Sequence, residues 1–188
     1  MNKGENIFPP HLAEIFDALR LGRHISRKDG NLFYVLEKHE SDFRDLFENL
    51  GFVLQRHQRD FFYFRDSQNF TELSARMAVF VFILIEWLAD RGEPIEETIM
   101  TALFELDKLP HFQTERYRKY MVEAGVDGEE ELLNVLRAME RTGFITRTDA
   151  ESFEFETPAY RLLDLCMEVA EKESANKTIP SSKEGGKP

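Results

Sequence analysis

Catalysis and metal binding require particular residue types at particular spacings, and this sequence offers few of them. The five histidines, His11, His24, His39, His57 and His111, are scattered, with no H-x-x-x-H pair and no cysteine close by. No metal site is expected from such a pattern. Neither G-x-x-x-x-G-K-[ST] nor G-x-G-x-x-G occurs, and no G-x-S-x-G elbow is present, so phosphate-cradling loops and a serine nucleophile are not expected. Cys166 falls on the apolar side of the last helical segment and reads as a buried structural thiol. Glu129, Glu130 and Glu131 stand at a helix start, where negative charge is favoured, and not as an acid–base pair. The expectation is a non-enzyme with no catalytic residue, no metal and no cofactor.

Phosphate contact is the chemistry with more support. Arg20, Arg23, His24, Arg27 and Lys28 form the densest basic stretch, and Arg56, His57, Arg59 and Arg65 follow in a hairpin. The chain carries a net charge of −11, which argues against a stand-alone nucleic-acid binder. The charge is uneven, however. Residues 1–65 hold ten Lys or Arg and ten Asp or Glu, so the whole excess of negative charge lies after residue 65. DNA-contact candidates are therefore Arg20, Arg23, Arg27, Lys28, Arg56 and Arg59.

The elements that position these residues follow from pattern. Pro9 and Pro10 open a first helix with Leu12, Ile15, Phe16 and Leu19 on one face, and Gly22 ends it. A short helix over 31–38 and a third one capped by Ser41 come next, then strands 52–56 and 61–65 around Gln58-Arg59-Asp60. Leu73–Asp90 reads as a long apolar helix, Pro94 opens one running to about Asp107, and a short one lies near 114–122. Asp127 and Glu130 have capping-box spacing for a helix to Arg141. Strands 144–147 and 152–156 and a helix from Thr157-Pro158 complete the order. The boundaries expected are a first domain over 1–70, a second over 71–157, a helix over 158–172 and a disordered tail over 173–188. Within the long helix, Val79 to Ile85 are apolar without a break. Phe80, Phe82 and Leu84 are the candidates there for a dimer or partner interface, unless the helix is simply a central core element. Met77–Ala89 falls short of the roughly 20 residues that span a bilayer, Met1–Pro10 has no apolar signal-peptide region, and a single cysteine suits a reducing cytoplasm.

An internal repeat organises the whole. Leu46-Phe47-x-x-Leu50-Gly51-Phe52-Val53-x-x-Arg56, followed by Phe62-x-Phe64, returns as Leu136-x-x-Met139, Gly143-Phe144-Ile145-x-Arg147 and Phe153-x-Phe155. Each copy is helix, glycine stop, strand, turn, strand, with helices before it. That is the order of a winged helix, and the fold class expected is mainly α with small β-hairpins (α+β), in tandem winged-helix domains. Gly51 and Gly143 would terminate their helices in a left-handed conformation. Both third helices are poor base readers: one begins Ser41-Asp42 with Asp45 and Glu48, the other with three glutamates.

The segments Ala18-Leu19-Arg20-x-Gly22-Arg23-His24-Ile25 and Phe61-Phe62-Tyr63-Phe64-Arg65 resemble the opening motif and first wing strand of the MukE/MksE family, with matching order from about Phe16 to Glu86. Beyond Asp90 the likeness is architectural. The short length and missing long acidic tail are closer to the MksE branch. The resemblance implies a homodimeric, tandem winged-helix subunit of a bacterial condensin. It would bind a kleisin, reach the SMC ATPase heads mainly through it, and help hold chromosomal DNA in the complex, on the nucleoid in the cytoplasm, with no membrane partner. The alternative is a tandem winged-helix transcription regulator.

Overall fold

The computed structural model describes residues 8–65 and 71–167. The expected disordered tail, 173–188, lies outside the described residues. The first unit runs α1 (Leu12–Arg20), β1 (Ile25–Ser26), a single 3-10 turn, α2 (Asn31–Lys38), α3 (Glu40–Asn49), β2 (Val53–His57) and β3 (Phe61–Arg65). Its sheet order is β1-β3-β2, all antiparallel. Next come α4 (Glu72–Asp90), α5 (Ile95–Thr101), β4 (Phe104–Glu105), two 3-10 turns, α6 (Glu115–Glu123), α7 (Glu129–Thr142), β5 (Ile145–Arg147) and β6 (Ser152–Phe155), in a second sheet ordered β4-β6-β5. A last helix, α8, is described over residues 160–167. The series α5-β4-α6-α7-β5-β6 thus repeats α1-β1-α2-α3-β2-β3, and α4 is an addition. The register repeats as well. Phe62 stands between Arg56 and Ile25, and Phe153 between Arg147 and Phe104.

The glycine stops are built identically. After α3 the Gly51 N–H donates to Glu48 O at 2.9 Å and the Phe52 N–H to Phe47 O at 2.9 Å. After α7 the Gly143 N–H donates to Glu140 O at 3.0 Å and the Phe144 N–H to Met139 O at 2.8 Å. Both glycines have φ of +84°, a conformation L side chains rarely adopt. This is the 6→1, 5→2 pattern that satisfies helix-end carbonyls and turns the chain into a strand.

Several local expectations differ from the structure. The helix begun at Pro94 stops at Thr101, because Ala102 turns extended (φ −85°, ψ 145°) and the chain enters β4. The third strand of each sheet is two residues long, too short to leave a periodic trace. Asp127 caps nothing: α7 follows Gly128 without a side-chain cap. Ser41 is not a cap either, since α3 starts at Glu40 after His39.

Two apolar cores result. One joins Ile15, Leu19, Phe33, Phe43, Phe47, Phe62 and Phe64, a largely aromatic set. The other wraps α4 and takes in Leu162, Leu163 and Cys166 of α8. Burial pushes the Cys166 thiol up to about 11, so it stays protonated.

Candidate functional site

Two residues of the basic stretch, His24 and Lys28, take part in the contact between the two units. His24, the residue before β1, reaches the C-terminal end of α7. Its backbone N–H and its ring Nδ1–H both donate to the Thr142 carbonyl at 3.0 Å. That carbonyl is one of those a helix end leaves without an internal partner. The other ring nitrogen accepts from Arg161 Nη1 at 2.9 Å. The imidazole lies 4.5 Å from the Phe144 ring and 5.5 Å from Tyr63. Burial first, and then the Arg161 charge, lowers its pKa to about 3. His24 is therefore neutral and interior, a correction to its inclusion in a cationic cluster. Gly143 permits the close approach: a Cβ there would stand 3.1 Å from the His24 carbonyl oxygen.

The first wing closes the same contact. His57 Nε2 lies 3.0 Å from Asp164 Oδ2, Arg59 donates to Glu96 at 2.8 Å, and the Arg59 guanidinium stacks 4.1 Å above Tyr160. Lys28 binds Thr146 Oγ1 at 2.7 Å and pairs with Glu156.

All six DNA-contact candidates have a carboxylate neighbour. Arg20 pairs with Asp17 at 3.2 Å, Arg23 with Asp29 at 2.5 Å and Arg27 with Asp60 at 3.0 Å. Arg56 meets Glu37, Glu40 and Asp60 at 2.7, 3.3 and 2.8 Å. Hydrogen bonds from Arg27 and then Arg56 hold the Asp60 carboxyl below its usual range. All but the half-buried Arg56 are exposed; Arg20, Arg23 and Arg27 pair within the first unit, whereas Lys28 and Arg59 pair with carboxylates of the second. Of the interface candidates, Phe80 and Leu84 have no exposed surface and belong to the second core; Phe82 is half-buried, its ring 6.0 Å from Tyr120.

On one side of His24 the two units enclose a cleft of about 820 Å³. Arg20, Arg23, Arg65, Arg141 and Arg161 line it, and Asp164 is the single carboxylate among the described lining residues. Leu21 and Val53 contribute apolar surface that is 64% and 46% exposed. A smaller cleft on the other side, about 300 Å³, mixes both signs: Arg23 and Lys28 with Asp29, Glu140 and Glu156. Among the described residues no group of His, Cys, Asp and Glu could hold a metal ion, and no helix is long and apolar enough to cross a membrane.

Compared with known families, residues 10–167 match the model described as condensin complex protein MksE. The chain belongs to the MksE family. No curated protein matches it.

The cleft of this MksE-family chain combines residues that the linear reading kept apart. Arg65 was visible as part of the first wing, but Arg141 ends α7 and Arg161 lies on α8, and only the fold assembles them. The one local signal was the unbroken run Phe61-Phe62-Tyr63-Phe64. A strand apolar on both faces is covered on both. Here Phe62 and Phe64 enter the first core, while Phe61 and Tyr63 face His24 at the junction.

Proposed function

We propose that this condensin-family chain is a non-catalytic subunit that binds a kleisin, reaches the SMC ATPase heads mainly through it, and forms a homodimer. It works in the cytoplasm on the nucleoid, where the assembled complex organises or segregates chromosomal DNA. The observation that carries this reading is the family match over 10–167. The surfaces of α3 and α7 support it. Asp42, Asp45 and Glu48 are exposed on α3, and Glu129 and Glu130 on α7, where a DNA-reading helix needs Arg, Lys, Asn or Gln. Such helices suit protein contact better than a major groove.

DNA contact inside the complex is assigned to the exposed arginines Arg20, Arg23 and Arg27, with Lys28, Arg56 and Arg59 behind them. The pairs of Arg20 with Asp17 and of Arg27 with Asp60 are exposed, and exposed ion pairs contribute only about 0–1 kcal/mol, so a phosphate delivered by partner subunits can displace those carboxylates at small cost; Asp29 is 8% exposed and also accepts from the Ser26 N–H, so it holds Arg23 more firmly. Phe82, half-buried, is the residue of α4 assigned to the homodimer.

The test is co-expression with a kleisin from the same organism. The two should co-purify without ATP, and sedimentation equilibrium of the isolated chain should give twice its mass. Arg20→Glu with Arg23→Glu should weaken DNA retention by the complex and leave kleisin binding intact. Failure to recover any kleisin sinks the reading; nanomolar binding of the isolated chain to one DNA sequence favours a transcription regulator instead.

A further inference from the structure

Two of the six cations assigned to DNA differ from the rest in where their carboxylates come from. Arg59, in the turn of the first wing, donates to Glu96 on α5 at 2.8 Å, and its guanidinium lies 4.1 Å above the Tyr160 ring of α8. Lys28, in the turn after β1, pairs with Glu156, the residue after β6, and binds Thr146 Oγ1 at 2.7 Å. Arg20, Arg23 and Arg27 answer carboxylates of their own unit. Glu96 and Glu156 belong to the part of the chain that holds all of its excess negative charge. Each therefore stands, as an anion, on a cation that a phosphate would have to reach. The pairs stay open to solvent, with the Lys28 and Arg59 side chains 56% and 46% exposed, so they can be exchanged without unfolding either core.

We propose that the second unit is a built-in competitor for phosphate: Glu96 and Glu156 occupy Arg59 and Lys28 and withhold these two cations from DNA in the isolated chain. The inference rests on the DNA-contact reading given above and adds how that contact is held off before assembly. The size of the effect follows from the exposure of the pairs. One exposed ion pair shifts an equilibrium by no more than about fivefold. Two of them, together with the repulsion of phosphate by the carboxylates themselves, weaken DNA contact by about tenfold. Partner subunits that hold a duplex beside the first unit raise its effective concentration to the order of millimolar, above the non-specific dissociation constants of about 10⁻⁴ to 10⁻⁶ M. A mask of this strength thus silences the free subunit and yields in the complex. The Tyr160 ring keeps the Arg59 guanidinium oriented while its carboxylate partner is exchanged, since a cation over an aromatic face is held without a counter-charge.

Anisotropy of a labelled DNA duplex titrated with the full-length chain tests the mask. Glu96→Gln with Glu156→Gln should raise affinity about tenfold at roughly 50 mM salt, and two newly available phosphate contacts should steepen the fall of log affinity with log salt by about 2. Each single substitution should give part of the gain. Lys28→Met with Arg59→Met should change the wild type little and abolish the gain of the double variant. Glu129→Gln with Glu130→Gln, which removes the same charge at the start of α7, should give much less. Thermal melts of each variant separate an opened mask from a lost fold. If the double variant gains no affinity, or gains as much with Lys28→Met and Arg59→Met in place, the carboxylates do not mask these cations and the inference is overturned, while the DNA-contact reading, tested on the assembled complex, is untouched. An equal gain from the α7 substitutions assigns the effect to net charge and also overturns it. If Arg20→Glu with Arg23→Glu leaves DNA retention by the complex unchanged, the DNA-contact reading has itself failed and the inference with it.

Discussion

The two winged-helix units share one element order, one sheet order and one register, yet they occupy opposite roles in the contact between them. The first presents β1's leading residue and its wing; the second receives them at the end of α7, on α5 and on α8. Position by position the contrast is sharp. His24 precedes β1 and is 4% exposed, whereas Leu103 precedes β4 and is 52% exposed. Gly51 and Gly143 have the same φ, but a Cβ at Gly51 meets nothing within 4 Å. Arg56 and Arg147 hold equivalent register positions. Arg56 joins a network with Glu37, Glu40 and Asp60, and Arg147 closes its own turn on the Ala150 carbonyl. A shared topology thus leaves the surface free to specialise, and what specialised here is charge: the balanced half carries the cations that hold the acidic half.

The largest expected effect comes from acid. His24 sits at the junction and His111 inside the second unit, stacked on Phe80 at 4.1 Å. Burial lowers their pKa values to about 3 and about 4, with Arg161 adding to the shift at His24. In the unfolded chain both return to near 6.5. Below that value the unfolded state binds more protons, so the stabilisation present above pH 6.5 is lost as pH falls towards about 4 at His111 and about 3 at His24. Each histidine sets a slope approaching 1.4 kcal/mol per pH unit. Urea unfolding between pH 7.5 and 5, above the usual carboxylate range, should show stability falling with pH. His24→Gln and His111→Gln should each remove part of the slope. A flat profile would show that neither imidazole is held neutral.

Truncating the junction comes next. His24→Ala removes a buried ring, strips Arg161 of an acceptor and leaves a void against Phe144. It should cost about 2–4 kcal/mol and separate one unfolding transition into two, because the two cores then lose a main tie. Leu103→Ala, at the equivalent exposed position, should cost less than about 0.5 kcal/mol. Chemical denaturation followed by near- and far-UV circular dichroism distinguishes these outcomes; equal costs would mean the two positions are not differentiated.

The glycines give a smaller contrast. Alanine at either position must adopt φ near +84°, a strain of about 1–2 kcal/mol. At Gly143 the new methyl also presses on the His24 backbone, which cannot yield without shifting β1. Gly143→Ala should therefore exceed Gly51→Ala by about 1 kcal/mol or more. Equal midpoint shifts in denaturant would remove the close approach as a constraint.

Much of this architecture was readable because it is written in local patterns. The glycine stops and the hairpins depend on residues that are near neighbours in sequence, and the repeat shows because the same local pattern returns later in the chain. β4 was not readable, since a two-residue strand exists only by pairing with β6. The junction was not readable for the same reason: His24 and Thr142 are 118 residues apart, and nothing near His24 distinguishes a buried imidazole from a cationic one. The six basic candidates were legible as types but only partly as pairs: Asp17 and Asp29 lie close by in sequence, whereas Asp60 in the wing turn, Glu37 on α2, Glu40 on α3, Glu96 on α5 and Glu156 after β6 reach their cations only through the fold. The apolar run in α4 was ambiguous from the start. Phe80 and Leu84 are core because α4 is wrapped by α5, α6 and α7, a circumstance set by distant segments.

The finest test concerns Lys28, which the sequence offers as a DNA contact and the structure places against Glu156 and Thr146. The lysine side chain is 56% exposed and Glu156 20%, so the pair sits at the rim of the junction and not inside it. A pair of this kind contributes about 0.2–1 kcal/mol, because solvent screens the attraction and fixing a long side chain costs entropy. Lys28→Met keeps the aliphatic stem and removes the charge. It should lower stability by less than about 1 kcal/mol at low salt, and the difference should vanish near 1 M salt, where the Debye length is about 3 Å. In the assembled complex the same change should lower DNA retention less than Arg20→Glu with Arg23→Glu, since Lys28 already answers a carboxylate on the second unit. If Lys28→Met leaves stability untouched at every salt concentration but reduces DNA retention as strongly as the arginine reversals, then the lysine leaves Glu156 for phosphate in the complex, and the division between cations that hold the acidic half and cations that face DNA must be drawn on its other side.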